Sequence, residues 1–201
     1  MSVEAYKIVV KFFAEEGMGL SGEQFVPVLH TWIQQHAVPE HSLIDVADYS
    51  HVHDGPGTLL VGHEANIYLD RTDGFLGLSY SRKQPLDGSF GERLRQAFVT
   101  ALQACTRLEE EAALGGKLKF RTNEALVRLN DRLLAPNTAE TFAAVKPELE
   151  QLAAKLWTGA SVEIEHNPVE SALFEVRLTA GDSPGIPALL NRLEAAPAPS
   201  R

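Results

Sequence analysis

The sequence predicts an α+β fold with two layers, in which a largely antiparallel sheet is covered by helices on one face. Short apolar runs rich in β-branched and aromatic residues alternate with longer segments whose apolar residues recur at helical spacing. The order strand, helix, strand, strand occurs twice, in halves of about 1–86 and 117–195, joined by a long helix of about 89–111. We therefore expect one domain over 1–195 and a disordered tail over 196–201.

The first half contains four runs typical of strands: 6–13, 43–53, 58–70 and 75–83. Between the first two, Ser21-Gly-Glu-Gln24 resembles a capping box and predicts a helix start. Pro27 costs least in a first helical turn, so the helix could begin a few residues after the box. Asp54-Gly-Pro-Gly57 lies between two extended runs and predicts the turn of a β-hairpin.

The joining helix and the second half follow from the same patterns. An apolar stripe predicts the long helix: Phe90, Leu94, Ala97, Phe98, Ala101, Leu102, Cys105 and Leu108. In the second half, the patterns predict a strand or strand pair over 117–131 and a helix start at 137–140. They also predict a hairpin of 162–166 with 173–178 and a short helix over 185–194. Pro147 lies inside the predicted second-half helix, where we expect a kink or a break.

Composition limits the classes of function. With 201 residues and 44% apolar content, the chain can bury a substantial core. The net charge of −9 opposes binding to nucleic acid, which needs clustered Lys and Arg. No apolar run is long enough for a membrane span and no signal peptide is evident, so we expect a cytoplasmic protein. The single cysteine, Cys105, excludes an intramolecular disulfide and is expected to be a buried, inert thiol.

The candidate site lies in the 17-residue stretch 48–64, which holds three of the seven histidines and three carboxylates. If residues 54–57 close a tight turn, Thr58 lies opposite His53 and His63 lies opposite Asp48. A histidine and a carboxylate paired across two strands could orient a metal ligand or form a general base. Gly62 could introduce a bulge that changes this register.

Several interpretations of the stretch remain open. His63, Asp48 and Glu64 are the candidate catalytic residues, and His51, His63 and Asp48 the candidate ligands of a divalent metal. The alternative is a polar hairpin face whose histidines are hydrogen-bonded for structural reasons. The candidate ligand-binding residues are Tyr49, His51, Arg82 and Lys83, although pairing with surface carboxylates is the favoured interpretation of the two cations.

Two segments carry a resemblance to a known family. Residues 48–64 and the segment Arg121-Thr-Asn-Glu-Ala-Leu-Val-Arg-Leu-Asn-Asp-Arg-Leu-Leu-Ala-Pro-Asn-Thr138 resemble parts of a family of bacterial hypothetical proteins. That family has no assigned activity. The resemblance implies a bacterial cytosolic protein and transfers no functional residue.

Two functions follow as hypotheses. The first is a binding module that uses the 48–64 hairpin to hold a small ligand or a protein partner. The alternative is a metal-dependent hydrolase or lyase with a His/Asp/Glu site on the same hairpin, or metal-free acid–base catalysis by Asp48 and His63. A homodimer formed through a sheet edge is compatible with the pattern, but no sequence feature marks it.

Overall fold

The computed structural model describes residues 4–15, 19–52, 55–72, 74–169 and 171–195. It contains eight strands: β1 (Ile8–Phe13), β2 (Leu43–Tyr49), β3 (Gly57–Gly62), β4 (Ala65–Asp70), β5 (Gly77–Arg82), β6 (Glu124–Leu129), β7 (Val162–His166) and β8 (Phe174–Ala180). It also contains four α-helices: α1 (Phe25–Gln34), α2 (Phe90–Glu110), α3 (Ala139–Leu156) and α4 (Ile186–Glu194). Two short 3₁₀ turns, Gly22–Gln24 and Ala112–Leu114, lie before α1 and after α2.

The strands form one sheet in the order β2-β3-β4-β5-β1-β6-β8-β7. Every neighbouring pair is antiparallel. The prediction of an α+β fold with a largely antiparallel sheet is therefore confirmed. β1 and β6 lie side by side in the interior of the sheet, and β2 and β7 form its two edges.

The core forms where the long helix α2 packs on the central strand β1. The rings of Phe12 and Phe98 meet edge to face with centroids 5.7 Å apart. Phe98 belongs to the apolar stripe that predicted α2, and Cys105 on the same stripe is fully buried. The Ser89 side chain caps the helix by accepting a hydrogen bond from the Glu92 N–H. Capping and one apolar face account for this helix.

The predicted strand 58–70 is wrong as a single element, because the chain reverses at His63 and Glu64. β3 ends at Gly62, β4 begins at Ala65, and Val61 pairs with Asn66 across the turn. Gly62 makes the tight reversal feasible, since a Cβ there would lie 2.6 Å from the Ala65 carbonyl oxygen. The reversal also returns Ile67 and Leu69 to the core.

Two helix predictions concerned prolines. Pro27 lies in the first turn of α1, after the 3₁₀ turn, and Ser21 N–H donates to Gln24 Oε1 at 2.9 Å as the capping box predicted. The break expected at Pro147 is wrong, because α3 runs unbroken from Ala139 to Leu156. Thr138 caps α3 by accepting from the Thr141 N–H.

Parts of the predicted organisation lie outside the described residues, namely the tail 196–201 and the hairpin residues His53 and Asp54. None of the helices that the structure describes combines the length and the apolar character needed to cross a lipid bilayer.

Candidate functional site

The predicted pair of Asp48 and His63 is wrong, because the register differs from the expected one. Asp48 lies opposite Thr58, and Tyr49 opposite Gly57. His63 lies at the other end of β3, where its N–H donates to the Ser42 carbonyl oxygen at 2.9 Å. The five residues from Thr58 to His63 correspond to about 16 Å of strand. Asp48 and His63 therefore share neither a metal nor a proton in this structure.

The candidate residues instead form two groups at opposite ends of the sheet. His63, Glu64, Arg82 and Lys83 come together where β3, β4 and β5 meet, because Ala65 pairs with Arg82 and the Lys83 N–H donates to the Glu64 carbonyl oxygen at 2.9 Å. Arg82 Nε donates to the Gln84 carbonyl oxygen at 2.9 Å.

The carboxylate of Glu64 is held by the loop after α1. Ser42 N–H donates to Glu64 Oε2 at 2.7 Å, and this hydrogen bond lowers the pKa of the Glu64 carboxyl. A lowered pKa favours the ionised form, which is a weak base at neutral pH. Glu64 thus fixes the loop to the β3–β4 turn, and the geometry gives it no general-base role.

A histidine and a tyrosine that sequence reasoning missed lie beside this group. His41 Nδ1 is 2.7 Å from the Pro39 carbonyl oxygen, which can only accept, so Nδ1 carries a hydrogen. The other ring nitrogen, Nε2, lies 3.0 Å from the Tyr80 hydroxyl. Burial raises the pKa of Tyr80, so its phenol keeps the proton. Because Tyr80 is 1% exposed, no substrate reaches its hydroxyl in this conformation.

The second group comprises Asp48, Tyr49 and His51, at the end of β2. Hydrogen bonds from the Ser50 side chain and N–H lower the pKa of Asp48, which is exposed. His51 is exposed in the turn that follows. Tyr49 is 43% exposed and borders a cavity. Of the predicted ligand-binding residues, only Tyr49 lines this cavity.

That cavity, the turn-end pocket, has a volume of about 260 Å³. Its walls come from residues 49–52 and 55–57, the segment around the 3₁₀ turn before α1, and the loop after β4. Apolar side chains include Leu20, Phe25 and Leu76, and polar ones include Asp70 and Arg71. Polar and apolar surfaces contribute about equally to its lining. The volume lies just below the range of about 300–1,000 Å³ that is usual for small-molecule sites.

Two glycines shape the turn-end pocket. Gly57 has φ +66°, and a Cβ there would lie 2.1 Å from the Leu69 carbonyl oxygen, so no other residue fits. At Gly22, a Cβ would lie 2.6 Å from the Ser50 Cβ. These close approaches bring the loops on both sides of the cavity together.

Asp70 lines the pocket and forms a buried ion pair with Lys11. Lys11 Nζ donates to Asp70 Oδ1 at 2.7 Å, with side-chain exposures of 0% and 6%. Ser79 Oγ, Thr72 N–H and Thr72 Oγ1 also donate to the carboxylate, at 3.0, 3.0 and 2.6 Å. The ion pair and these donors hold the Asp70 carboxylate in one orientation.

The guanidinium of Arg71 is the available cation of the pocket. Its Nη2 donates to the Leu20 carbonyl oxygen at 3.2 Å. Within the described residues, no carboxylate lies within ion-pair distance of Arg71. Because a guanidinium carries five N–H donors, several remain for a bound anion.

Metal ligation has no geometric basis in the part of the chain that the structure describes. No three His, Cys, Asp or Glu side chains there are grouped closely enough to hold an ion. The candidate ligands His51, His63 and Asp48 are divided between the two ends of β3.

The buried ion pair between β1 and β4 was not predicted from the sequence, although one signal was present. Lys11 interrupts an apolar run, Ile8-Val-Val-Lys-Phe-Phe13, and such a charge is buried only with a partner. The partner, Asp70, is 59 residues away in sequence, so spacing could not identify it.

Comparisons with known proteins give no relative from which a role could be transferred. No protein-family model, no curated protein and no solved structure matches the chain. The resemblance of 48–64 and 121–138 to a bacterial family therefore stays a prediction.

Proposed function

We propose that this protein is a small-ligand-binding module and that its site is the turn-end pocket. The observation that carries the proposal is a cavity whose lining combines apolar side chains with one cation, Arg71, that lacks a carboxylate partner among the described residues. The site includes five residues of the 48–64 hairpin: Tyr49, Ser50, Val52, Gly55 and Gly57. His63 and Glu64 lie outside it.

The chemistry of the walls favours a small anion with an apolar body. Leu20, Phe25 and Leu76 would cover the apolar part, and the Arg71 guanidinium would pair with a carboxylate. Asp70 would not repel such a ligand strongly, because the Lys11 ammonium neutralises its charge at 2.7 Å.

The proposal is tested by titrating the protein with phenylacetate and hexanoate, each compared with its uncharged amide. Binding would be followed by amide chemical shifts and by calorimetry. We expect both carboxylates to shift the resonances of residues 49–57 and 70–72, and both amides to bind at least tenfold more weakly, since a charge-assisted hydrogen bond contributes about 1.5–3 kcal/mol.

The matched variants are Arg71→Gln and Arg132→Gln. Arg132 is an exposed arginine in another loop, so its replacement controls for the change in net charge. Arg71→Gln should remove the preference for the carboxylate, and Arg132→Gln should leave it unchanged. Equal binding of acid and amide, or shifts confined to residues away from the pocket, would refute the proposal.

We also infer that the two halves form a two-layer pseudo-repeat, with boundaries that differ from the predicted β-α-β-β pattern. The supporting correspondence pairs β1 with β6, α1 with α3, β4 and β5 with β7 and β8, and α2 with α4. In this scheme β2 and β3 are an addition to the first half. Packing of Phe98 on Phe12 supports placement of α2 on one sheet face.

A further inference from the structure

The outer edge of β7 is unpaired among the described residues, since β7 is the last strand of the sheet. Just before β7, the Gly181 N–H donates to the Ser161 carbonyl oxygen at 3.0 Å. In an antiparallel ladder, hydrogen-bonded and non-hydrogen-bonded pairs alternate. The backbone groups of Glu163 and Glu165 therefore form hydrogen bonds with β8. The backbone N–H and C=O groups of Val162, Ile164 and His166 point away from the sheet.

A groove runs beside this edge, between β7 and α3. It has a volume of about 340 Å³ and is lined by Val162 and Ile164 from β7, and by Ala153, Ala154 and the ion-paired Lys146 and Glu150 from α3. Alanines leave space where larger side chains would close the gap. A strand added to β7 would direct the side chains opposite Val162 and Ile164 into this groove.

The first half shows what occupies the corresponding position. β4 is the second strand outward from β1, and β7 is the second strand outward from β6. Each is the outer strand of a hairpin, β4–β5 or β7–β8. The outer edge of β4 is paired with β3, whose Leu60 is fully buried. Beyond β7, the described chain supplies no such strand.

The charges of two glutamates on β7 favour one kind of strand over another at this edge. Glu163 and Glu165 are both exposed, on the face opposite the groove. A second copy pairing in antiparallel fashion about Ile164 would set Glu163 opposite the copy's Glu165, and centring on either glutamate sets it opposite itself. Like charges directly opposite each other destabilise a sheet. A strand with Lys or Arg at these positions would instead form opposite-charge pairs.

We propose that the β7 edge and the adjoining groove bind an extended basic segment of a partner protein, in which apolar and basic residues alternate. The apolar residues enter the groove and the basic ones pair with Glu163 and Glu165. Backbone hydrogen bonds to Ile164 add the segment as a ninth strand. This proposal is independent of the turn-end pocket, which lies at the opposite side of the sheet beside β2–β4.

The probe is a fluorescein-labelled Lys-Val-Lys-Val-Lys-Val-Lys peptide, measured by anisotropy against the full chain. Its comparators are Lys-Lys-Lys-Lys-Val-Val-Val, with the same charge and no alternation, and Glu-Val-Glu-Val-Glu-Val-Glu. We expect saturable binding of the alternating basic peptide, and at least about tenfold weaker binding of both comparators, because cross-strand pairs and register supply the difference.

The charge-swapped variant Glu163→Lys/Glu165→Lys should no longer bind the alternating basic peptide and should instead bind the alternating acidic one. Ile164→Pro should abolish binding, because it removes an outward N–H without removing a β7–β8 hydrogen bond. Ala154→Leu should weaken binding by filling the groove. Gln151→Leu introduces the same leucine at another exposed position of α3, outside the groove lining, and should have no effect. Thermal unfolding of each variant establishes that it is folded.

Equal binding of the alternating and blocked basic peptides would show nonspecific attraction to an acidic protein and overturn the proposal. So would binding that survives the charge swap. Sedimentation of the protein alone gives a third outcome. A dimer that Ile164→Pro dissociates would identify a second copy as the occupant and also overturn it.

Discussion

Replacing Lys11 with methionine tests whether the buried ion pair supports the pocket. Methionine keeps an unbranched stem beside Gly77, where a Cβ would lie 2.6 Å from Lys11 Cε, but removes the ammonium that donates to Asp70 at 2.7 Å. Removing one partner of a buried pair costs about 3–5 kcal/mol. Since Ser79 and Thr72 continue to donate to the carboxylate, we expect the lower value, about 3 kcal/mol. For a domain of this size, Tm would fall by roughly 6–12 °C.

The assay is urea unfolding followed by circular dichroism, combined with a double-mutant cycle. Asp70→Asn and the double variant Lys11→Met/Asp70→Asn complete the cycle, and the coupling energy should be about 1–3 kcal/mol. Lys117→Met changes the same charge at an exposed position and should alter stability by less than about 0.5 kcal/mol. If Lys11→Met lowered the free energy of unfolding no more than this control does, the ion pair would not determine the position of Asp70 in the turn-end pocket.

Two further predictions concern the partly buried His166 and the buried Cys105. His166 is stacked between Phe142 and Phe174 and lies 2.8 Å from Asn137 Oδ1; burial lowers its pKa, so the folded state favours neutral His166. As pH falls below about 6.5, His166 therefore takes up a proton in the unfolded chain before it does so in the folded protein, and the free energy of unfolding should decrease. His166→Gln should flatten that part of the curve of unfolding free energy against pH. His30→Gln, at an exposed position, should not. An unchanged curve for His166→Gln would contradict this. Burial raises the pKa of the Cys105 thiol well above its ordinary value, so a disulfide reagent should modify it only in urea, and rapid labelling of the native protein would count against the packing of α2.

The elements with a long, uniform pattern were predictable from sequence. The apolar stripe predicted α2 to within about a residue at each end, and Gly185 marks the start of α4 as expected. The hairpin of β7 and β8 also follows from alternation in its two runs. In each case local propensity and tertiary burial favour the same structure.

The register of the first hairpin could not be predicted, because its turn is longer than the sequence suggested. Residues 50–56 separate the paired Tyr49 and Gly57, whereas Asp54-Gly-Pro-Gly57 suggested a four-residue turn. β2 ends early because the Asp48 carboxylate accepts from the Ser50 N–H at 2.9 Å, and because the Val52 N–H donates to the Tyr49 carbonyl oxygen at 2.9 Å. Local side-chain hydrogen bonds of this kind compete with a strand ladder.

The β3–β4 reversal was missed for a different reason. Apolar residues continue on both sides of it, and His63-Glu64 lacks the Asn-Gly or Asp-Gly signature of a two-residue hairpin turn. Gly62 was the one local indication, and it was equally consistent with a bulge. The error mattered for function, because it placed His63 and Glu64 within a strand instead of at the sheet end that holds His41 and Tyr80.

The β2–β3 hairpin connects the two proposals. It pairs with the outer edge of β4, and its turn, residues 49–57, supplies one wall of the turn-end pocket. The second half has no equivalent hairpin among its described strands, so the corresponding edge, β7, is left with outward backbone groups and a groove. One difference between the halves thus accounts for both features. If that reasoning is right, filling the groove with Ala154→Leu should leave carboxylate binding at the turn-end pocket unchanged, and Arg71→Gln should leave peptide binding at β7 unchanged.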